Sequence, residues 1–220
     1  MKIIKILILT TSLLLTPLTQ AAFITTNEAA LDTIFSQANF GNMPIDIRIG
    51  AATEIVFPSL LDITTDAEIT SLFGMHVGAA TVVNFYFVDT IDACGGFNPA
   101  IVGCGELPGN DFVVESAFAA GGFGGELLAH ELGHNLGLGH SNGNLLMNPF
   151  LNGFIDLTLG EVATIHNSPL VQTDGQQFWI DINPVLIVAR ASNPIPEPSI
   201  LLLFLLSFGL FWQKSIPKNK

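Results

Sequence analysis

Short apolar runs separated by polar breaks cover the chain from Phe23 to Val188, and they show two different periods. Ile45-Asp46-Ile47-Arg48-Ile49 alternates strictly, the pattern of a half-buried strand. Ile55-Val56-Phe57 is a weaker strand candidate. Thr81 to Val88 is dense in β-branched and aromatic side chains and predicts a strand, as does Asp111 to Glu115. Phe178 to Ile182 and Val185 to Val188 predict two late strands. Phe23 to Phe40 carries helical spacing, with Asn27 as a candidate cap before Glu28. Thr65 to Gly74 reads either as a short helix or as a loop. Glu126 to about Leu136 predicts a helix, introduced by a glycine-rich breaker, Gly121 to Gly125, that reads as a linker. Leu157 to Ile165 predicts another, opened by a capping box of Thr158 and Glu161. No internal repeat is visible.

The two ends follow neither period. Residues 1–21 combine Lys2 and Lys5, an apolar stretch from Ile3 to Leu15, and the small-residue site Thr19-Gln20-Ala21. That is the pattern of a secretory signal peptide, the alternative being an N-terminal membrane anchor. Residues 191–220 run from a proline-containing linker through Pro196-Glu197-Pro198 and an apolar stretch to Lys214, Lys218 and Lys220. Residues 22–42 read as a lead-in segment or short propeptide, and 43–190 as the main domain.

Charge sharpens the division. Of the seven basic residues only Arg48 and Arg190 lie between the two ends, while all 19 acidic residues lie between Glu28 and Glu197, so the stretch from Ala22 to the Pro196-Glu197-Pro198 segment carries a formal charge near −17. Such a body repels nucleic acid and suits a soluble extracellular protein. Its acidity also suits Ca2+, although no D-x-[DN]-x-[DN]-G loop fixes a calcium site. Cys94 and Cys104 are the only cysteines, and in an exported chain they predict a disulfide, with two free buried thiols as the alternative.

The chemistry is concentrated in His130-Glu131-Leu132-Gly133-His134-Asn135-Leu136-Gly137-Leu138-Gly139-His140. His130 and His134 lie four residues apart, so one helical face aims both rings at one point. Gly137 permits the left-handed turn that ends the helix, and His140 closes the set from another direction. Three protein ligands leave a position open, as in a catalytic zinc site, and Glu131 stands beside it as a general base. His76 and His166 read as satisfied or solvated histidines outside that set.

The eleven-residue run, the serine at Ser141 and the later Met147-Asn148-Pro149 resemble the metzincin metallopeptidases, the matrixin branch in particular. The resemblance implies an α+β zincin fold: a twisted mixed sheet over an active-site helix, with a small C-terminal subdomain. It implies one catalytic Zn2+ held by His130, His134 and His140. Met147 becomes the methionine turn, an apolar floor under the histidines. Pro149 and Phe150 become candidate walls of the substrate pocket. The lone tyrosine, Tyr86, lies far upstream of the methionine turn, so no tyrosine is expected to assist the metal.

The C-terminal segment is similar to the PEP-CTERM sorting signal of Gram-negative bacteria. That similarity implies export through the inner membrane, a transient membrane tether and processing by an exosortase-type enzyme, with release to the cell envelope or the exterior. The alternative is a permanent C-terminal anchor, for which the apolar stretch falls short of the roughly 20 residues of a span. The leading expectation is therefore a secreted zinc endopeptidase acting on proteins or peptides. The second is a non-catalytic, zinc-stabilised surface or extracellular-matrix protein, against which the intact Glu131 argues.

Overall fold

Residues 22–190 are described by the computed structural model, and the signal peptide and sorting tail expected at 1–21 and 191–220 lie outside the described residues. The contacts divide the chain after Ala189, and the first unit carries the elements that follow.

Among the described residues five α-helices run in the order α1 (Glu28–Phe35), α2 (Asp66–Phe73), α3 (Ser116–Ala119), α4 (Gly124–Asn135) and α5 (Leu159–His166). The strands are β1 (Ile45–Ile49), β2 (Thr53–Val56), β3 (Asp62–Ile63), β4 (Val82–Val88), β5 (Thr90–Ile91), β6 (Gly103–Gly105), β7 (Asp111–Glu115), β8 (Gln172–Thr173) and β9 (Phe178–Val188). A seven-stranded mixed sheet has the order β1-β9-β4-β7-β6, with β2 and β8 also paired to β9. β1, β2, β9, β4 and β7 run parallel, and β6 is antiparallel to β7 at the edge. The fold is α+β.

Alternation along β4 builds a core on each face of the sheet. Val83, Phe85 and Phe87 join the larger core with α1, α4 and α5, while Tyr86 and Val88 join the smaller one with Ile69 and Leu72 of α2. A strand buried on both faces reads as a continuous apolar run, which is why Thr81 to Val88 was so legible. The Thr65 to Gly74 alternative resolves as a helix, because Thr65 and Glu68 close a reciprocal capping box.

The late strands are one element. β9 runs through Asn183 and Pro184 without a break and lies in the middle of the sheet. Proline has no N–H to give a central ladder. Here the neighbouring strand is itself interrupted between Ile49 and Thr53, so β1 pairs with Phe178 to Ile182 and β2 with Val185 to Val188. The chain after α4 thus returns to the main sheet instead of staying in a separate C-terminal part.

Three local expectations are corrected. Asn27 does occupy the position before α1, but at φ 51 it gives no side-chain cap. Its amide donates to the carbonyls of Thr25 and Ala119, tying the lead-in segment to α3. The stretch Gly121 to Gly125 is no plain linker, because Gly124 and Gly125 are the first residues of α4. A Cβ on Gly124 would overlap the Ala119 carbonyl, and one on Gly125 would lie 2.6 Å from the Ala30 Cβ. Glycine there is a packing requirement. The lead-in segment itself is built into the core through Leu31, Phe35 and Phe40, so removing it would open the larger core.

The third correction is His166. It touches the ring edges of Phe40 and Phe178, and both of its nitrogens are buried with no hydrogen bond of good geometry among the described residues, although the Met43 backbone lies close enough to favour the proton and partly oppose burial. Burial holds its pKa below the usual histidine value. The folded chain therefore prefers the neutral ring, and stability is lost as pH falls through about 6.5, where the unfolded chain starts to take up the proton. His166→Phe removes that dependence. The melting temperature of the variant minus that of the parent should rise steadily from pH 7.5 to pH 5, and a constant difference would refute the assignment.

Candidate metal centre

Helix α4 brings Glu126, His130 and His134 to one face, since each lies four residues from the next. The helix stops where Gly137 adopts φ +97, and the chain then turns His140 back toward the other two rings. Centroids of the three imidazoles lie 4.7, 4.8 and 5.3 Å apart. One ligand atom from each falls within 4.8 Å of the others, His130 and His134 being buried and His140 exposed.

Backbone carbonyls set the tautomers. His130 Nδ1 donates to the Leu146 carbonyl at 2.8 Å, and His134 Nδ1 to the Leu138 carbonyl at 2.7 Å. A carbonyl only accepts, so the proton sits on Nδ1 and the lone pair on Nε2. His134 Nε2 stands 3.2 Å from His140 Nε2. Two ligands about 2.0–2.1 Å from a tetrahedral metal are separated by about 3.3 Å. Burial pushes His130 down to about 4 and lowers His134 as well, which keeps both rings in the neutral, ligating form at neutral pH. These three residues could hold a metal ion.

Met147 lies under the same helix. It is fully buried, and a Cβ on Gly133 would lie 2.5 Å from its sulfur. The Ser141 N–H donates to the Met147 carbonyl at 2.8 Å, which closes the turn between His140 and the methionine. The third residue after His130 is thus small for a reason: the thioether occupies that space.

Glu131 stands outside the ligand set. It is 5 % exposed, no hydrogen-bond donor among the described residues holds its carboxylate, and burial pushes it up to about 8. A divalent cation nearby favours the charged form and opposes that shift. Pro149 and Phe150 are both exposed, Phe150 at 77 %. The cavity of about 460 Å³ at the start of α4 is lined instead by Phe123, Glu126, Gly153 and Ile155, with α1 opposite. The disulfide between Cys94 and Cys104 is present, with Cα atoms 5.8 Å apart.

Two supporting residues went unnoticed in the sequence. Glu126 is buried and accepts the N–H groups of Asn152 and Gly153 at 2.8 and 2.9 Å, which fastens the segment after Met147 to α4. Its spacing of four from His130 was the available signal. Asn135 follows His134 and donates to the carbonyls of Glu106 and Asp111, anchoring the end of α4 to the loop before β7. Nothing local marks that role. His76 is satisfied by Asp111 at 3.0 Å and the Ala79 carbonyl at 3.2 Å, and Tyr86 is fully buried in the smaller core. Among the described residues no helix is long and apolar enough to cross a membrane. Protein-family models, curated proteins and solved structures return no match to this chain.

Proposed function

We propose that this chain is an exported zinc-dependent endopeptidase of metzincin type. The observation that carries the reading is the convergence of His130, His134 and His140, with Glu131 on the same helix but outside the ligand set. Nitrogen ligands and the 3.2 Å spacing suit Zn2+ in a tetrahedral site with one position left for solvent or substrate. Zinc, when bound, acidifies a water and polarises the scissile carbonyl. Glu131 takes the proton as the water oxygen adds to the carbonyl carbon. It returns that proton to the amine nitrogen as the carbon–nitrogen bond breaks. The Leu146 and Leu138 carbonyls keep the imidazoles oriented, and such outer partners sustain metal affinity. Met147 gives the rings a dry floor.

A second reading, a zinc-stabilised surface or matrix protein without turnover, draws on the depth of Glu131, since a carboxyl this enclosed also suits a structural site. A fluorogenic peptide assay decides between them. Hydrolysis should vanish with a chelator and return on adding one equivalent of Zn2+. Hydrolysis indifferent to the chelator, or a zinc-loaded protein that cleaves no peptide in a broad library, would end the endopeptidase reading. The acidic body, signal peptide and PEP-CTERM-like tail support export to the cell envelope or beyond, with an exosortase-type enzyme as processing partner.

A further inference from the structure

We infer that Gly103 and Gly105 are positioning residues for Glu131, and that the Cys94–Cys104 disulfide pins the strand that carries them. Strand β6 crosses α4 beside the carboxylate, and alternation directs its two glycines toward the helix. A Cβ on Gly103 would overlap Glu131 Oε1 and lie 2.9 Å from both Cδ and Cγ. A Cβ on Gly105 would lie 3.0 Å from the Glu131 backbone oxygen, 3.2 Å from Oε2 and 3.3 Å from the His134 Cβ. The Glu131 side chain therefore fills the space that any other residue at 103 would need. Any side chain there would swing the carboxylate away or lift the strand.

The strand is short and lies at the edge of the sheet. It is three residues long, pairing with β7 through Gly103↔Val114, Cys104↔Val113 and Gly105↔Phe112 with one backbone hydrogen bond beyond each end, and glycine is a poor strand former. Cys104, between the glycines, points to the opposite face, joins the smaller core and is bonded to Cys94. The disulfide thus fastens the outer face of a strap whose inner face must stay bare.

That Glu131 acts as a base rests on the proposed function, but its packing under β6 does not. A double-mutant cycle in melting temperature tests the packing on the full chain. Gly103→Ala should lower the melting temperature by about 5 °C beside Glu131 and by less than about 1 °C in the Glu131→Ala background. Gly105→Ala, whose nearest neighbour is a backbone oxygen that Glu131→Ala keeps and whose contact with Oε2 is looser at 3.2 Å, should couple to Glu131 less strongly than Gly103→Ala does. If Gly103→Ala fails to fold beside Glu131, recovery of a folded chain by Glu131→Ala supports the inference. Equal costs in the two backgrounds, or failure to fold in both, overturn it. Carbodiimide labelling tests the pin: Glu131 should resist modification while the disulfide is intact and become modified after reduction or in Cys94→Ser/Cys104→Ser. Equal protection in both states overturns the pin. In the active enzyme Gly103→Ala should lower kcat about 10²-fold with KM unchanged, and a change confined to KM overturns the positioning role. The first two measurements use no hydrolysis, so an inactive protein that shows the coupling refutes only the activity.

Discussion

Glu131→Gln is expected to keep its metal and lose about 10²- to 10⁴-fold in peptide hydrolysis, the usual contribution of a positioned general base. Glutamine has almost the same shape, so it fits under Gly103 and Gly105 where the glutamate side chain lies. It cannot take the proton of an attacking water. It also carries no charge, and the native carboxyl is buried without a hydrogen-bond donor among the described residues. The variant should therefore melt at or above the temperature of the parent, which separates a chemical defect from a folding one.

His134→Ala supplies the contrast. It removes a ligand whose Nδ1 is held by Leu138 and whose Nε2 faces His140, so metal content should fall along with activity. Metal analysis and turnover on the same preparations check both variants. A Glu131→Gln protein within about tenfold of the parent would remove Glu131 from the chemistry. One that has lost its metal would make Glu131 part of the ligand sphere.

The histidine cluster was legible because its geometry is local. Four-residue spacing on one helix fixes two rings, and Gly137 and the six residues after His134 fix the third. The capping box at Thr158 is equally local, spanning only four residues, whereas the spacing of Thr65 to Gly74 fits helix or loop until the box of Thr65 and Glu68 decides for helix. What stayed hidden depends on partners distant in sequence. Asn27 looks like a cap, yet Ala119 outbids the helix for its amide. His166 looks solvated on a short helix, yet Phe40 and Phe178 enclose it from more than a hundred residues upstream and from the last strand. The glycines at 103 and 105 look like loop residues until Glu131 is found against them. Phe178 to Val188 could be read as strand but not placed, because periodicity carries no information about which neighbours a strand will take.

That placement leads to the second large effect. Val185→Asp is expected to abolish the cooperative unfolding transition and, with it, metal binding. Val185 is fully buried in the smaller core, and β9 pairs it with Thr53 of β2 on one side and Tyr86 of β4 on the other. No basic residue among the described residues lies in that core to meet a carboxylate. An unpaired buried charge costs several kcal/mol, against a total stability of about 5–15 kcal/mol. Ending the chain before Phe178 is expected to do the same more completely. It removes Ile180, Ile182, Val185 and Ile187, each nearly fully buried, and cuts β1 and β2 away from β4. Buried aliphatic side chains contribute about 2–5 kcal/mol each when truncated to alanine, so four of them match the whole stability. Helix α4 would lose its footing too, because it packs on the face that Ile180 and Ile182 help to fill. Circular dichroism melting and metal titration of both chains check this. If the chain without β9 still melts cooperatively and binds metal, the central strand is not what holds the histidines together.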